Sequence, residues 1–390
     1  MTTIVHLADL HLGYSQLHRV TATGQNQREA DFERAALACA DRIVEIAPDL
    51  VVIAGDTLHD TRVSVTGLDG AIEFVDRFRK AGIKLVVIGG NHDEASSEGR
   101  MNMLHILRRH GIDLYLQQDH LDVAGVRLHT MPFQVLSRWL RGRGEVRPFE
   151  FASDHPNVLL AHGYAAAPGL TSPPEEIEIP HNWVSDPRFA LVCLGHVHHH
   201  AQIDERAFFA GSIERRDFGE RNEQPGFWIH ELSTNGRLRS SSVSVQDLDV
   251  SMTPRPMHQF EIEAHDLTTD QLEAHVLRLV GDVDVVNEAM VRVVLNNVSS
   301  ELDRSRARHQ WLRAFRAAGG FYLDVVANTR RVSELLDVQF AAPPINIADA
   351  FGQFLAGQVF NTDKDRQDML ALGSDIMSVA HEKLLATEAD

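Results

Sequence analysis

Short apolar runs alternate with segments of helical spacing through the first half of the chain. Residues 4–8 form a brief apolar run bounded by polar neighbours, the signature of a buried strand. From 28 to 47, Phe32, Ala35, Ala36, Cys39, Ile43 and Ile46 recur at the spacing of an amphipathic helix. A strand at 49–54, a helix at 68–80 and a strand at 84–88 follow. Such alternation predicts parallel pairing with helices packed on the sheet faces. Further strands are predicted at 127–131, 158–161, 191–194, 208–210 and 227–231, with little helix among the later ones. The expected architecture is therefore α/β: a two-sheet β-sandwich flanked by helices.

The pattern breaks at Met252-Thr253-Pro254-Arg255-Pro256, where two prolines mark a linker. A smaller α+β unit is predicted beyond it, with strands at 259–262, 290–295 and 322–326 and helices at 269–279 and 305–317. Pro343-Pro344 marks a second stop. Segments 347–360 and 366–385 then read as two amphipathic helices joined by Asn361-Thr362-Asp363, a C-terminal helical hairpin. Their apolar sides (Ile347, Phe351, Phe354, Leu355 and Phe360, then Met369, Leu372, Ile376, Val379 and Leu384) call for a further surface, by docking on a partner, folding back on the chain or pairing with a second copy. The predicted domains are 1–253, 257–341 and 345–390.

Composition changes this picture little. An apolar fraction of 44% and a charged fraction of 24% are ordinary for a globular protein. No apolar run approaches bilayer length, and Met1-Thr2-Thr3 leads straight into a strand, so no membrane segment or secretory signal is expected. With only Cys39 and Cys193, both in apolar stretches, two buried thiols in a cytoplasmic protein are expected. The net charge of −18 argues against a nucleic-acid partner, yet local distribution matters more than the total. Arg138, Arg141, Arg143 and Arg147 cluster around a single Glu145, and Arg304, Arg306, Arg308, Arg313 and Arg316 follow Asp303. A solvated face explains such runs as well as a phosphate contact does.

The chemistry sits just past predicted strand ends. There stand Asp9 and His11, Asp56 after Gly55, Asn91-His92-Asp93 after Gly89-Gly90, His162 before Gly163, and His196 and His198 after Gly195. In open α/β sheets such ends converge on one crevice. Residues two apart on an extended segment point the same way, so each pair, Asp9/His11 and His196/His198, is expected to serve one site. Glycines beside these residues let the backbone turn sharply near an ion. Carboxylate, imidazole and amide oxygen together suit Mn²⁺, Fe²⁺, Mg²⁺ or Zn²⁺, and the lack of cysteine in these loops argues against a structural zinc.

These five motifs, Asp-Leu-His, Gly-Asp, Gly-Asn-His-Asp, His, and Gly-His-Val-His, resemble those of the calcineurin-like metallophosphoesterase superfamily. The opening His6-Leu7-Ala8-Asp9-Leu10-His11-Leu12-Gly13, the loop Gly55-Asp56-Thr57-Leu58-His59-Asp60 and the stretch from Gly211 to Glu220 are most similar to SbcD-type nuclease subunits of double-strand-break repair. Many bacterial members carry Trp where Leu10 stands. The resemblance implies a metallophosphoesterase fold with a small α+β capping domain. It also implies a DNA exonuclease and endonuclease using two manganese ions, with magnesium, iron or zinc as alternatives. Asp9, His11, Asp56 and His198 would hold one ion, and Asp56 would bridge to a second held by Asn91, His162 and His196. His92 would protonate the leaving oxygen, His59 would touch the phosphate or orient His92, and Asp60 would lie behind them. His199 and His200 read as a solvent-facing tail. Arg304, Arg306 and Arg308 are candidate DNA contacts. The chain carries no P-loop, so any ATP dependence points to another chain. The implied partners are DNA, an SbcC-like coiled-coil ATPase on the terminal hairpin, and a second copy in a homodimer. The alternatives are a metallophosphoesterase for smaller diesters or phosphoproteins, and a non-catalytic scaffold.

Overall fold

The computed structural model describes residues 1–93, 103–166, 176–248, 254–298 and 304–329, together with Lys364, Gln367 and Met369. The chain divides into two compact units, Met1–Thr329 and Arg330–Asp390. The predicted C-terminal hairpin lies outside the described residues, those three positions apart. All fifteen described strands lie in the first unit.

Twelve strands build the sandwich: β1 (Thr2–Leu7), β2 (Leu50–Ile53), β3 (Leu85–Ile88), β4 (Asp113–Tyr115), β5 (Asp119–Val123), β6 (Val126–Met131), β7 (Asn157–His162), β8 (Phe189–Gly195), β9 (Ala201–Gln202), β10 (Ala207–Phe209), β11 (Gly226–Leu232) and β12 (Leu238–Ser244). They form two sheets, ordered β12-β11-β1-β2-β3-β4 and β5-β6-β7-β8-β10-β9. β1 to β4 run parallel, as do β6, β7 and β8. The central strands are apolar throughout because both of their faces are covered. Ile4, Val52, Val86, Leu128, Leu160 and Leu191 fill the space between the sheets. Alternate residues Val5, Leu7, Val51 and Val87 face the opposite way, against Cys39, Ile43, Phe74 and Phe78 of the helices Gln27–Ile46 and Val65–Ala81. Asn26 starts the first helix by accepting the N–H groups of Arg28 and Glu29, and Gly82 ends the second in a left-handed conformation. This is the helix-flanked two-sheet sandwich that the apolar pattern predicts.

The hydrophobic pattern is silent on β4, β5, β9 and β12. β5 is half-exposed and rich in charge (Asp-His-Leu-Asp-Val), and β12 carries three consecutive serines. Both are sheet edges, where polar sequences are the rule. A second difference is the path of β11, which returns antiparallel to β1 with Ile4 opposite His230. The chain between β10 and β11 is thereby drawn to the end of the first sheet.

A three-stranded parallel sheet follows: β13 (Met257–Glu263), β14 (Met290–Val298) and β15 (Tyr322–Thr329). Val276 and Val280 of the helix Thr269–Val280 pack on it, as do Trp311 and Phe315 of the helix Arg304–Ala317. A buried ion network joins this sheet to the sandwich. Arg255 donates to Asp31 through Nε at 2.6 Å and Nη2 at 2.7 Å, and through Nη1 to Glu288 at 3.1 Å. Arg28 donates to the same Asp31 at 2.7 Å, and the Arg255 guanidinium covers the Phe321 ring at 3.8 Å.

Candidate metal centre

The strand-end loops of both sheets meet at one place. Asp9 and His11 follow β1, Asp56 follows β2, Asn91 and His92 follow β3, His162 closes β7, and His196 and His198 follow β8. The loops are stitched together by main-chain hydrogen bonds from Asp9 N to Gly55 O, His11 N to Asp56 O, and Leu12 N to Thr57 O. The Asp9/His11 and His196/His198 pairs are not extended, contrary to the sequence expectation. Asp9, His11, Asp56 and His196 all have positive φ, of 52°, 44°, 52° and 98°. This strained backbone re-aims each side chain and is held by the surrounding packing. Gly90 matters for proximity more than for turning, since a Cβ there would stand 2.1 Å from Asp56 Oδ1. At Gly55 both needs coincide: its φ is +91°, and a Cβ would meet His162 Nδ1 at 2.2 Å.

Two groups of donor atoms result. In the first, His11 Nε2 lies 2.9 Å from His198 Nε2, with Asp9 completing a compact cluster. In the second, Asn91 Oδ1 lies 2.9 Å from both His162 Nε2 and His196 Nδ1. Asp56 stands between them, its Oδ2 3.8 Å from His11 Nε2 and 3.6 Å from His162 Nε2.

The far nitrogens reveal which atoms carry lone pairs. His162 Nδ1 donates to the Ala54 carbonyl at 2.6 Å, and His196 Nε2 donates to Glu176 Oε1 at 2.7 Å. Both rings therefore present a bare nitrogen to the amide oxygen of Asn91, so three acceptors converge with no proton among them. Burial holds His162 down at about 4 and His11 well below the usual histidine range, which keeps both rings neutral. Burial likewise pushes Asp9 well above the usual carboxylate range. A cation beside Asp9 would restore its charge. Converging lone pairs and buried carboxylates fit divalent metal ions, and they fit nothing neutral.

Three acidic residues behind the donors are not assigned by the sequence pattern. Glu176 orients His196, and Glu220 does the same for His198, its Oε1 2.7 Å from Nδ1. Burial opposes charging His198, yet Glu220 and Asp9 outweigh it and hold that ring above its ordinary pKa. The buried Asp93 accepts N–H groups of Leu58 at 2.8 Å, Gly90 at 3.0 Å and Thr57 at 3.2 Å, locking the β2 and β3 loops together. Burial and the neighbouring Asp56 push Asp93 up to about 7, against these three donors.

His92 and His59 stack with centroids 5.0 Å apart. His92 Nδ1 donates to the His59 carbonyl at 2.7 Å, so Nε2 is the nitrogen left to exchange protons. The His92 ring meets His11 edge-on at 4.8 Å, and its main-chain N–H binds Asp56 Oδ1 at 2.8 Å. His59 Nδ1 comes within 3.3 Å of His11 Nδ1, and burial, reinforced by His92, lowers its pKa to about 4. Asp60 is exposed and bonds within its own turn, to Thr61 and Arg62. His199 is half exposed on Glu223. His200 is no solvent-facing tail: its ring stacks on Trp228 at 4.4 Å and its nitrogens bond the Ala210 carbonyl and Ser242. Arg304, Arg306 and Arg308 begin the helix Arg304–Ala317, where the side chains of Arg308, Arg313 and Arg316 are exposed.

The profile of the calcineurin-like phosphoesterase family matches residues 2–200. The DNA double-strand break repair protein Mre11 of Archaeoglobus fulgidus is 26% identical over 303 residues, covering 72% of this chain and 65% of that protein. Its namesake in Haloferax volcanii is 31% identical over 230 residues, 57% of this chain and 48% of that protein. The D component of the nuclease SbcCD from Staphylococcus epidermidis is 26% identical over 275 residues, 63% of this chain and 70% of that protein. The chain thus spans less than two thirds of the length of both archaeal relatives. Among the described residues no helix is long and apolar enough to cross a membrane.

Proposed function

The chain belongs to the calcineurin-like phosphoesterase family, and on that premise we propose that it is a two-metal DNA nuclease of the Mre11 and SbcD type. The observation that carries this reading is the pair of donor groups flanking Asp56. Asp9, His11, Asp56 and His198 would hold one ion, and Asp56, Asn91, His162 and His196 the other, with manganese the favoured metal. Two such ions would supply charge neutralisation for a phosphodiester and make a bound water more acidic.

The remaining chemistry belongs to the side chains. His92 keeps Nδ1–H on the His59 carbonyl, which orients the ring, and delivers a proton from Nε2 to the departing oxygen. His59, neutral and stacked on His92, sets the angle of that ring. Phe133 stacks on His196 with centroids 5.7 Å apart and keeps water from one side of the second donor group.

The substrate reading, exonuclease on duplex ends and endonuclease on single strands or hairpins, rests on the similarity to repair proteins and a nuclease, together with the resemblance of the Gly211–Glu220 stretch to SbcD-type subunits. Within it, the 257–341 unit serves as a capping domain whose arginine helix meets the DNA backbone. The 345–390 tail docks on an SbcC-like ATPase, and the nuclease works as a homodimer in the cytoplasm. Activity of the manganese-loaded protein on duplex DNA, a phosphoserine peptide and a small chromogenic diester tests the assignment. Turnover of DNA far above the other two is expected. Preference for the peptide or the small diester would return the chain to the broader family of phosphoesterases.

A further inference from the structure

A second cluster of ligand-type side chains lies away from the loops, inside the sandwich itself. His6 of β1, His230 of β11 and Cys193 of β8 are all fully buried between the two sheets, with candidate donor atoms within 4.8 Å of one another. β1 and β11 are neighbours in the first sheet, while β8 belongs to the second. The cluster therefore bridges the sheets.

Each imidazole is tied at one nitrogen only. His6 Nε2 donates to the Leu194 carbonyl at 3.2 Å, and His230 Nδ1 lies 2.8 Å from the Ser240 hydroxyl. The other nitrogens, His6 Nδ1 and His230 Nε2, are buried and have no hydrogen-bond partner among the described residues. Two orphaned ring nitrogens in one apolar core are costly, since a buried polar atom normally finds a partner. Burial holds His6 well below the usual range and His230 at about 3, so neither nitrogen recovers a partner by taking up a proton. With His230 Nδ1–H donated to the Ser240 hydroxyl, both remaining nitrogens carry lone pairs, and an electrophile would satisfy them. The carbonyl and the hydroxyl behind the rings are the kind of support that fixes metal-bound histidines.

We propose that His6 Nδ1, His230 Nε2 and the Cys193 sulfur form a site for one copper(I) ion, distinct from the two-metal centre. The donor set is two nitrogens and one sulfur, which suits a soft ion content with three ligands. Charge selects within that class. A monovalent ion and one thiolate are together neutral, whereas zinc would leave a net positive charge among apolar side chains and would seek a fourth ligand. Binding forms one Cu–S and two Cu–N bonds and breaks one S–H, whose proton leaves to solvent, with no change of oxidation state. Ligands about 2.0–2.3 Å from a common ion stand roughly 3.5–4 Å apart, so the cluster closes with small side-chain shifts. Full burial means that the ion enters as the sheets assemble.

The test uses the full chain produced in cells supplied with both copper and zinc, then dialysed against EDTA and a copper(I) chelator. Chelators strip the solvent-facing centre first, so the proposal expects about one copper per chain to remain. Cys193→Ala should retain none and yet still take up manganese at the open centre. Absence of metal, retention of zinc instead, or copper kept equally by Cys193→Ala would each overturn the site. Should that variant fail to fold, X-ray absorption at the copper edge of the unaltered protein decides. A sulfur shell supports the site, and its absence refutes it.

Discussion

Glu220 Oε1 lies 2.7 Å from Nδ1 of His198, and that contact leaves Nε2 as the only nitrogen of the ring free to bind an ion. The carboxylate also accepts the main-chain N–H of Arg216, so one residue ties the loop before β11 to the metal centre. Outer carboxylates of this kind tune ligand orientation and basicity. Glu220→Ala is expected to weaken manganese binding by roughly 10–100-fold, and Glu220→Gln by less, because the amide oxygen still accepts the ring N–H. Calorimetric titration measures this. Equal affinity in all three proteins would remove Glu220 from the centre.

His92 separates chemistry from binding. Its ring touches His11 and His59 but is not among the donors flanking Asp56. His92→Ala should keep two ions per chain by elemental analysis while losing about 10²–10⁴ in cleavage rate. Loss of an ion would make it a ligand, and unchanged turnover would assign the proton to another group.

Gly90→Ala probes proximity. The added methyl would sit 2.1 Å from Asp56 Oδ1, an atom already bonded by the His92 N–H, so the carboxylate cannot simply swing aside. Displacing the shared ligand by about 1 Å is expected to cost on the order of 10²-fold in activity and to reduce metal loading. Normal activity would mean that the β2 and β3 loops tolerate separation.

The clustering of these side chains was legible in the sequence because donor-type residues at strand ends carry two signals at once, an apolar run and a polar break. Asp9, Asp56, Asn91, His162 and His196 all follow that rule. Glu176 and Glu220 do not, since nothing local distinguishes them from surface carboxylates until β7, β8 and β11 bring their loops together. The left-handed backbone at Asp9 and His11 was hidden for a related reason: it comes from hydrogen bonds to Gly55 and Asp56, far away in sequence. His200 looked like a continuation of the histidine run, yet β11 places Trp228 beneath it. The edge strands β5 and β12 escaped because half-exposed edges lack apolar alternation.

Asp31 anchors the three-stranded sheet to the sandwich. Burial opposes its charge, but bonds from Arg255 and the charges of Arg255, Arg28 and Arg34 outweigh this and hold its carboxyl below the ordinary 3.8. A depressed carboxylate adds stability that is present above its unfolded value and lost as pH falls through the folded one. Asp31→Asn, which strands buried guanidinium groups, should cost roughly 3–5 kcal/mol at neutral pH. The gap between the two proteins should shrink as pH drops below 3.8. Denaturant unfolding across that range checks it, and a gap that widens on acidification would contradict the network.

Trp311 and Phe315 bury one side of the helix Arg304–Ala317 against the third sheet, which leaves Arg308, Arg313 and Arg316 in solvent. Exposed positions of this kind change stability by no more than about 0.5 kcal/mol when replaced. Serine at all three should therefore leave folding intact and isolate the electrostatic role. If these side chains meet backbone phosphates, DNA affinity falls on every sequence alike, and the slope of log affinity against log salt flattens by about one for each phosphate no longer neutralised. Cleavage of a short dinucleotide substrate should be nearly unchanged, because the metal centre is untouched. Fluorescence anisotropy over a salt series reads the slope directly. A slope equal to that of the unaltered protein would make this helix a solvated face and shift the DNA-binding role to Arg141 and Arg143, which are also exposed.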